Sequence, residues 1–119
     1  MSEKTYRIWN LSLGWFCFSI ALFVFGSTVE PTASFWDAGE YIATSAKLQI
    51  GHPPGAPFFQ MMGAFFALFA TSPEKIALMV NYMSVFSSAF TILFLFWTLT
   101  LLLKKIPCFK SLDTISERF

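Results

Sequence analysis

Charge is what this chain has least of. Only 13% of its 119 residues are charged and mean hydropathy is +0.60, where a soluble domain carries about 25% charged residues. There is one histidine and there are two cysteines. Cys17 and Cys108 have no neighbours at metal-ligand spacing and make no disulfide framework. No basic patch is interleaved with aromatics, which argues against nucleic acid as a partner. A Gly-rich phosphate loop, a metal-ligand cluster and a Ser/His/Asp order are all lacking. The net charge of +1 identifies no partner. What is abundant is apolar: 55% of residues are hydrophobic, and phenylalanine alone occurs 16 times. These residues fall in uninterrupted runs, the mark of a membrane protein whose surface is covered by lipid or by partner helices.

The first run, residues 8–29, carries no charge. It exceeds the about 20 residues a helix needs to cross the hydrocarbon core. Trp9 stands near its start, where an aromatic ring suits the interface. A secretory signal peptide is the alternative, but the run is longer than the usual h-region of about 7–15 residues and no small-x-small cleavage site follows. Glu30 and Pro31 end the run, since Pro31 lacks an amide hydrogen and biases Glu30 away from helical angles. The last run, 76–103, is also long enough to span and stops at Lys104 and Lys105. Between them, 56–70 (APFFQMMGAFFALFA) is apolar but short and contains Pro57, Gln60 and Gly63. Runs of this length suit a re-entrant or interfacial helix. Ser72 and Pro73 are expected to open the last helix as N-cap and first residue.

The polar chemistry is concentrated in Ser34–Gly55, SFWDAGEYIATSAKLQIGHPPG, which holds Asp37, Glu40, Lys47 and His52. Ser34 and Asp37 form an S-x-x-D capping box, which predicts a helix over 35–49. On that helix Asp37, Glu40, Tyr41, Thr44 and Leu48 share one face, and Phe35, Ala38, Ile42 and Ala46 share another. Such an amphipathic helix lies along a membrane surface. Gly51, Pro53, Pro54 and Gly55 break it.

Each polar residue carries two readings. Asp37 suits a base or a metal ligand, and equally a helix cap. Glu40, one turn on, lets the two carboxylates hold a divalent cation or act as base and orienting group; the alternative is a solvated face shared with Lys47. His52, between glycine and two prolines, suits a histidine held towards a phosphate or a carboxylate, or a turn residue bonded to a loop carbonyl. Lys47 can meet a phosphate or snorkel to headgroups. Trp36, Phe35 and Tyr41 are most simply interface anchors.

Charge bias sets the expected topology. Lys4 and Arg7 flank the first span, and Lys104, Lys105, Lys110 and Arg118 follow the last. With both ends cytoplasmic the number of crossings is even. The expected architecture is a single all-α membrane domain over 1–119. Two transmembrane helices (8–29 and 76–103) flank an extracytoplasmic loop over 30–75. That loop carries an amphipathic juxtamembrane helix over 35–49 and a re-entrant or interfacial helix over 56–70, and a cytoplasmic tail follows over 104–119.

The segment EPTASFWDAGEYIATSAKLQIGHPPGAPFF resembles the amino-terminal signature of a family of bacterial polytopic membrane proteins. Their eukaryotic relative is the transmembrane-protein-260 type of protein O-mannosyltransferase. The motifs are SFWD-x-GE followed by GHPPGAP. More widely the chain resembles the GT-C glycosyltransferases, which use polyprenyl-phosphate-linked sugars. The resemblance implies the amino-terminal part of a GT-C fold, set in the cell (inner) membrane, with a polyprenyl-phosphate-linked sugar as donor. It implies Asp37 as the catalytic aspartate, Glu40 as the accompanying acid and His52 as shaping the site near the lipid phosphate; Lys47, Tyr41 and Trp36 beside them are the further substrate-binding candidates. Members of this family are far longer. The chain is therefore expected to be an amino-terminal piece of a polytopic protein, or a shortened relative that needs a partner subunit or has lost activity. Two spans do not enclose a polyprenyl donor, so the 119-residue chain alone is expected to show no turnover; transfer by purified, partner-free chain would refute this. The rival readings are a small non-enzymatic membrane subunit whose loop binds a partner, and a transporter using Asp37 and Glu40 for ions. The second rival is weaker, because neither carboxylate lies in a span.

Overall fold

The computed structural model describes residues 2–106. The expected tail beyond residue 106, with Cys108, Lys110 and Arg118, lies outside the described residues. All regular structure among the described residues is helical: α1 (Glu3–Ser27), α2 (Ala38–Lys47), α3 (Pro57–Ala67), one 3₁₀ turn (Pro73–Lys75) and α4 (Ile76–Lys105). Two helical stretches, Glu3–Ser27 and Pro73–Lys105, are long and apolar enough to cross a membrane. The first begins five residues before the uncharged run, because Glu3, Lys4 and Arg7 join the opening turns of α1.

The residues form two compact units. One takes the chain up to Ala21 together with the residues from Ala89 on; the other is Leu22–Ser88. In the first unit α1 and α4 run antiparallel. The Trp97 indole nitrogen donates to the Asn10 carbonyl at 3.4 Å. Trp15 meets Trp97 edge-on at 6.2 Å, and Phe18 meets Phe90 at 4.8 Å. A side chain at Gly14 would run into the Trp97 indole, so the glycine is what admits that ring. At the end of this unit Lys104 Nζ donates to both carboxylate oxygens of Glu3 at 2.9 Å and stands 4.9 Å from the centre of the Tyr6 ring. The start of α1 and the end of α4 therefore lie together.

The second unit carries the polar stretch. Asn81, near the start of α4, pins the connection that follows α1: its side-chain nitrogen donates to the carbonyls of Glu30 at 2.8 Å and Thr32 at 3.0 Å. Two amide hydrogens thus satisfy two carbonyls in a segment that has no regular structure to do so. α2 and α3 pack on one another. Tyr41 meets Phe59 edge-on at 5.3 Å. Fully buried Ser45 sits against Gly63, where a β-carbon would lie 2.7 Å from the Ser45 hydroxyl. Close approach here depends on glycine. α3 starts with Pro57, whose missing amide is unneeded in a first turn.

Two expected caps are absent. Trp36 takes a left-handed conformation, φ 62°, which a helix cannot include. Helix α2 therefore starts at Ala38, with Asp37 at the N-cap and no side-chain capping bond. The S-x-x-D box does not form, and Asp37 falls outside the helix it was expected to cap from within. Leu48, expected on the same helical face, is instead the left-handed C-cap at φ 48°. Ser72 occupies the N-cap position of the 3₁₀ turn without capping it.

Candidate active site

The site is built by a chain reversal. Leu48, in the left-handed conformation, ends α2, and the Gln49 amide donates to the Thr44 carbonyl at 2.8 Å. This closes the last turn of the helix and sends Ile50 and Gly51 back along it. His52 then arrives beside Glu40, in the first turn of α2. The turn is shut by the Gly55 amide on the His52 carbonyl at 2.9 Å, with a cis bond between Pro53 and Pro54 and Gly55 at φ 73°.

Glu40 holds His52 at two points. Its Oε1 accepts the His52 backbone N–H at 2.7 Å, and its Oε2 lies 2.8 Å from His52 Nδ1. Facing an ionised carboxylate, Nδ1 carries the proton and donates, and Nε2 is the ring nitrogen left unengaged by Glu40. The titrations follow. The His52 backbone and ring bonds depress the Glu40 pKa. The Glu40 hydrogen bond and charge raise that of His52, with a smaller contribution from Asp37. Both partners are well exposed, His52 at 52% and Glu40 at 39%. Gly51 makes the approach possible: a β-carbon there would lie 2.9 Å from Glu40 Oε1 and 3.5 Å from the side-chain nitrogen of Gln60.

The structure thus brings together three of the six residues singled out from the sequence: Glu40 and His52 in direct contact, and Asp37 near enough for its charge to act on the histidine. Asp37 is exposed at the N-terminus of α2, where helix geometry favours a negative charge. Both oxygens of Glu40 are engaged by His52, so a cation shared by Asp37 and Glu40 would compete with that pair. The other three residues lie elsewhere. Lys47 is exposed at the last position of α2, about two helical turns from Glu40. Tyr41 faces an open groove of about 440 Å³, lined also by Ser34, Ile42, Phe59, Val80 and Asn81. Trp36 is 95% exposed beside Asp37.

Sequence reading noted Gln60 only as an interruption of the apolar run and gave it no part in the site. It is the one hydrogen-bonding side chain of α3, PFFQMMGAFFA, yet it is turned inward, only 9% exposed. Its side-chain nitrogen has no acceptor among the described residues. Leaving a buried amide donor unpaired costs about 1–3 kcal/mol. The signal was available: a lone amide inside an otherwise apolar helix has a reason to be there.

Residues 37–118 match the family described as Protein O-mannosyl-transferase TMEM260 N-terminal domain. The chain belongs to this TMEM260 N-terminal-domain family. The matched region begins at Asp37 and so contains Glu40 and the GHPPG turn. The Protein O-mannosyl-transferase tmem260 of Dictyostelium discoideum is 28% identical over 79 residues, covering 66% of this chain and 10% of that protein. The chain thus spans about a tenth of the length of the curated relative it matches. No solved structure matches. TMEM260 N-terminal-domain family membership and the two helices of spanning length point to a membrane protein.

Proposed function

We propose that this chain is the amino-terminal portion of a GT-C-type membrane glycosyltransferase. It moves a mannose-like sugar from a polyprenyl phosphate to a hydroxyl acceptor outside the cytoplasm. The observation that carries the reading is the Glu40–His52 pair. It joins the two motifs of the family signature, twelve residues apart, into one charged constellation with Asp37 beside it.

In this reading Asp37, exposed and free of a capping bond, takes the proton from the acceptor hydroxyl. The acceptor oxygen bonds the anomeric carbon as the bond from that carbon to the phosphate oxygen breaks. The lipid phosphate leaves from the opposite face of the sugar. Glu40 has both oxygens occupied and a depressed pKa, so it serves as the orienting acid. It holds the histidine charged, with Nε2–H directed to a phosphate oxygen. Lys47 meets a lipid headgroup, Tyr41 lines the groove, and Trp36 anchors the loop at the membrane interface.

The membrane is the cell's inner membrane, and residues 30–75 lie on its outer side. This arrangement is supported by the Glu3–Lys104 contact at one end of both spans and by Lys4, Arg7 and Lys105 close to it. The exposed apolar faces of α1, with Trp9, Phe16 and Phe23, pack against lipid and against further helices of the longer polypeptide or a partner subunit.

The test places Asp37→Asn and Glu40→Gln separately in the full-length protein and measures transfer from a lipid-linked sugar. Loss of a positioned base lowers the rate about 10²–10⁴-fold, and that loss is expected for Asp37→Asn. Glu40→Gln is expected to fall less and to shift the pH profile. Unchanged transfer in both variants rejects the assignment.

A further inference from the structure

A carboxylate oxygen accepts more than one hydrogen bond. Among the described residues, Glu40 Oε1 takes only the His52 amide. Beside the same face of Gly51 stands the side-chain nitrogen of Gln60, buried and without an acceptor among the described residues. The two atoms converge on the same bare face of the glycine, 2.9 Å and 3.5 Å from where its β-carbon would be. α3 offers Glu40 no charged group at all. The charged groups near the pair are His52 in the turn and Asp37 at the head of α2, with Lys47 at the opposite end of that helix.

We infer that Gln60 is a positioning residue for Glu40: burial in the α2–α3 contact holds its unpaired amide at the Gly51 gap, from which a small side-chain adjustment makes it a further donor to the carboxylate. Because the donor is neutral, it steadies the ionised acid without competing for the charge of His52. Gly51 is part of the device, since any side chain there would separate the amide from the carboxylate. The inference rests on the reading of Glu40 and His52 as the working pair, but its test does not need turnover.

The readout is the titration of the Glu40 carboxyl carbon by NMR, in the whole chain in lipid nanodiscs. Hydrogen bonds to the charged form favour it, so Gln60→Leu is expected to move the Glu40 midpoint to higher pH. Gln60→Glu is expected to move it further, because it places a second carboxylate opposite the first. Gly51→Ala, which pushes into Oε1, is expected to shift the midpoint in the same direction with Gln60 intact. Unchanged Glu40 midpoints in the two Gln60 variants, with the fold retained by amide spectra, overturn the inference. A merely structural glutamine would alter stability and leave the midpoint in place. If the midpoint shifts but sugar transfer in the full-length protein is insensitive to Asp37→Asn and Glu40→Gln, the positioning stands and the enzymatic reading falls.

Discussion

In Glu40→Gln, the one histidine of the chain is expected to titrate closer to the ordinary imidazole value of about 6.5, below its midpoint in the unaltered protein. The amide replacement keeps an oxygen for the His52 backbone N–H, and removes both the charge and the second oxygen that accepts from Nδ1. The Glu40 hydrogen bond and charge are the leading causes of the raised His52 pKa, so most of the elevation disappears and the Asp37 contribution remains. Because there is a single histidine, its ring resonances report without assignment. An unmoved midpoint would show that the pair does not form in solution.

The same pair makes the turn dependent on pH, with two limits of opposite sign. The His52 pKa is raised on folding, so its stabilising share is complete below the unfolded value of about 6.5 and disappears as pH climbs through the folded value. The Glu40 pKa is lowered on folding, so its share is complete above the unfolded value of about 4.3 and disappears as pH falls through the folded value. The clasp is therefore whole from mildly acidic to near-neutral pH and is released on both sides.

Replacing Gly63 with valine is expected to separate α2 from α3. The new β-carbon would lie 2.7 Å from the Ser45 hydroxyl and 2.8 Å from the Ser45 β-carbon. Ser45 is completely buried, so it has nowhere to move. Overpacking of this kind costs about 1–3 kcal/mol, and relief requires the helices to shift apart. Amide hydrogen exchange across Ala38–Lys47 should accelerate, and the Glu40–His52 pair, carried on α2, should loosen with it. Protection equal to that of the unaltered chain would contradict the packing described here.

These expectations show how unevenly the sequence disclosed the molecule. The two long helices were plain because an uncharged run of spanning length has few alternatives. The beginning of α2 was not. A serine and an aspartate at capping spacing pointed to residue 35, but Trp36 adopts a left-handed backbone, which nothing in a tryptophan announces. The reversal that brings His52 to Glu40 was hidden for the same reason: it turns at Leu48, where a glycine would have advertised it. Glu40 and His52 were each singled out for their chemistry. Their contact obeys no helical period, because it depends on the path between them. The two bonds from Asn81 to the Glu30 and Thr32 carbonyls were equally invisible, spanning some fifty residues of chain.

α3 is a helix turned inside out. Its amide side chain points inward, while Phe58, Met61 and Phe65 stand in the open. Water would reject such a helix; hydrocarbon is the medium it fits. At 11 residues it is about 16 Å long at 1.5 Å per residue, roughly half the apolar thickness of a bilayer. In the proposed membrane setting a segment of that reach would rest within one leaflet, with the Gly51 turn, close to Gln60 of this helix, at the boundary between oil and water. Charges in that layer attract one another more strongly than in bulk solvent. In that setting the bilayer, by fixing the local dielectric, would become a component of the acid–histidine pair.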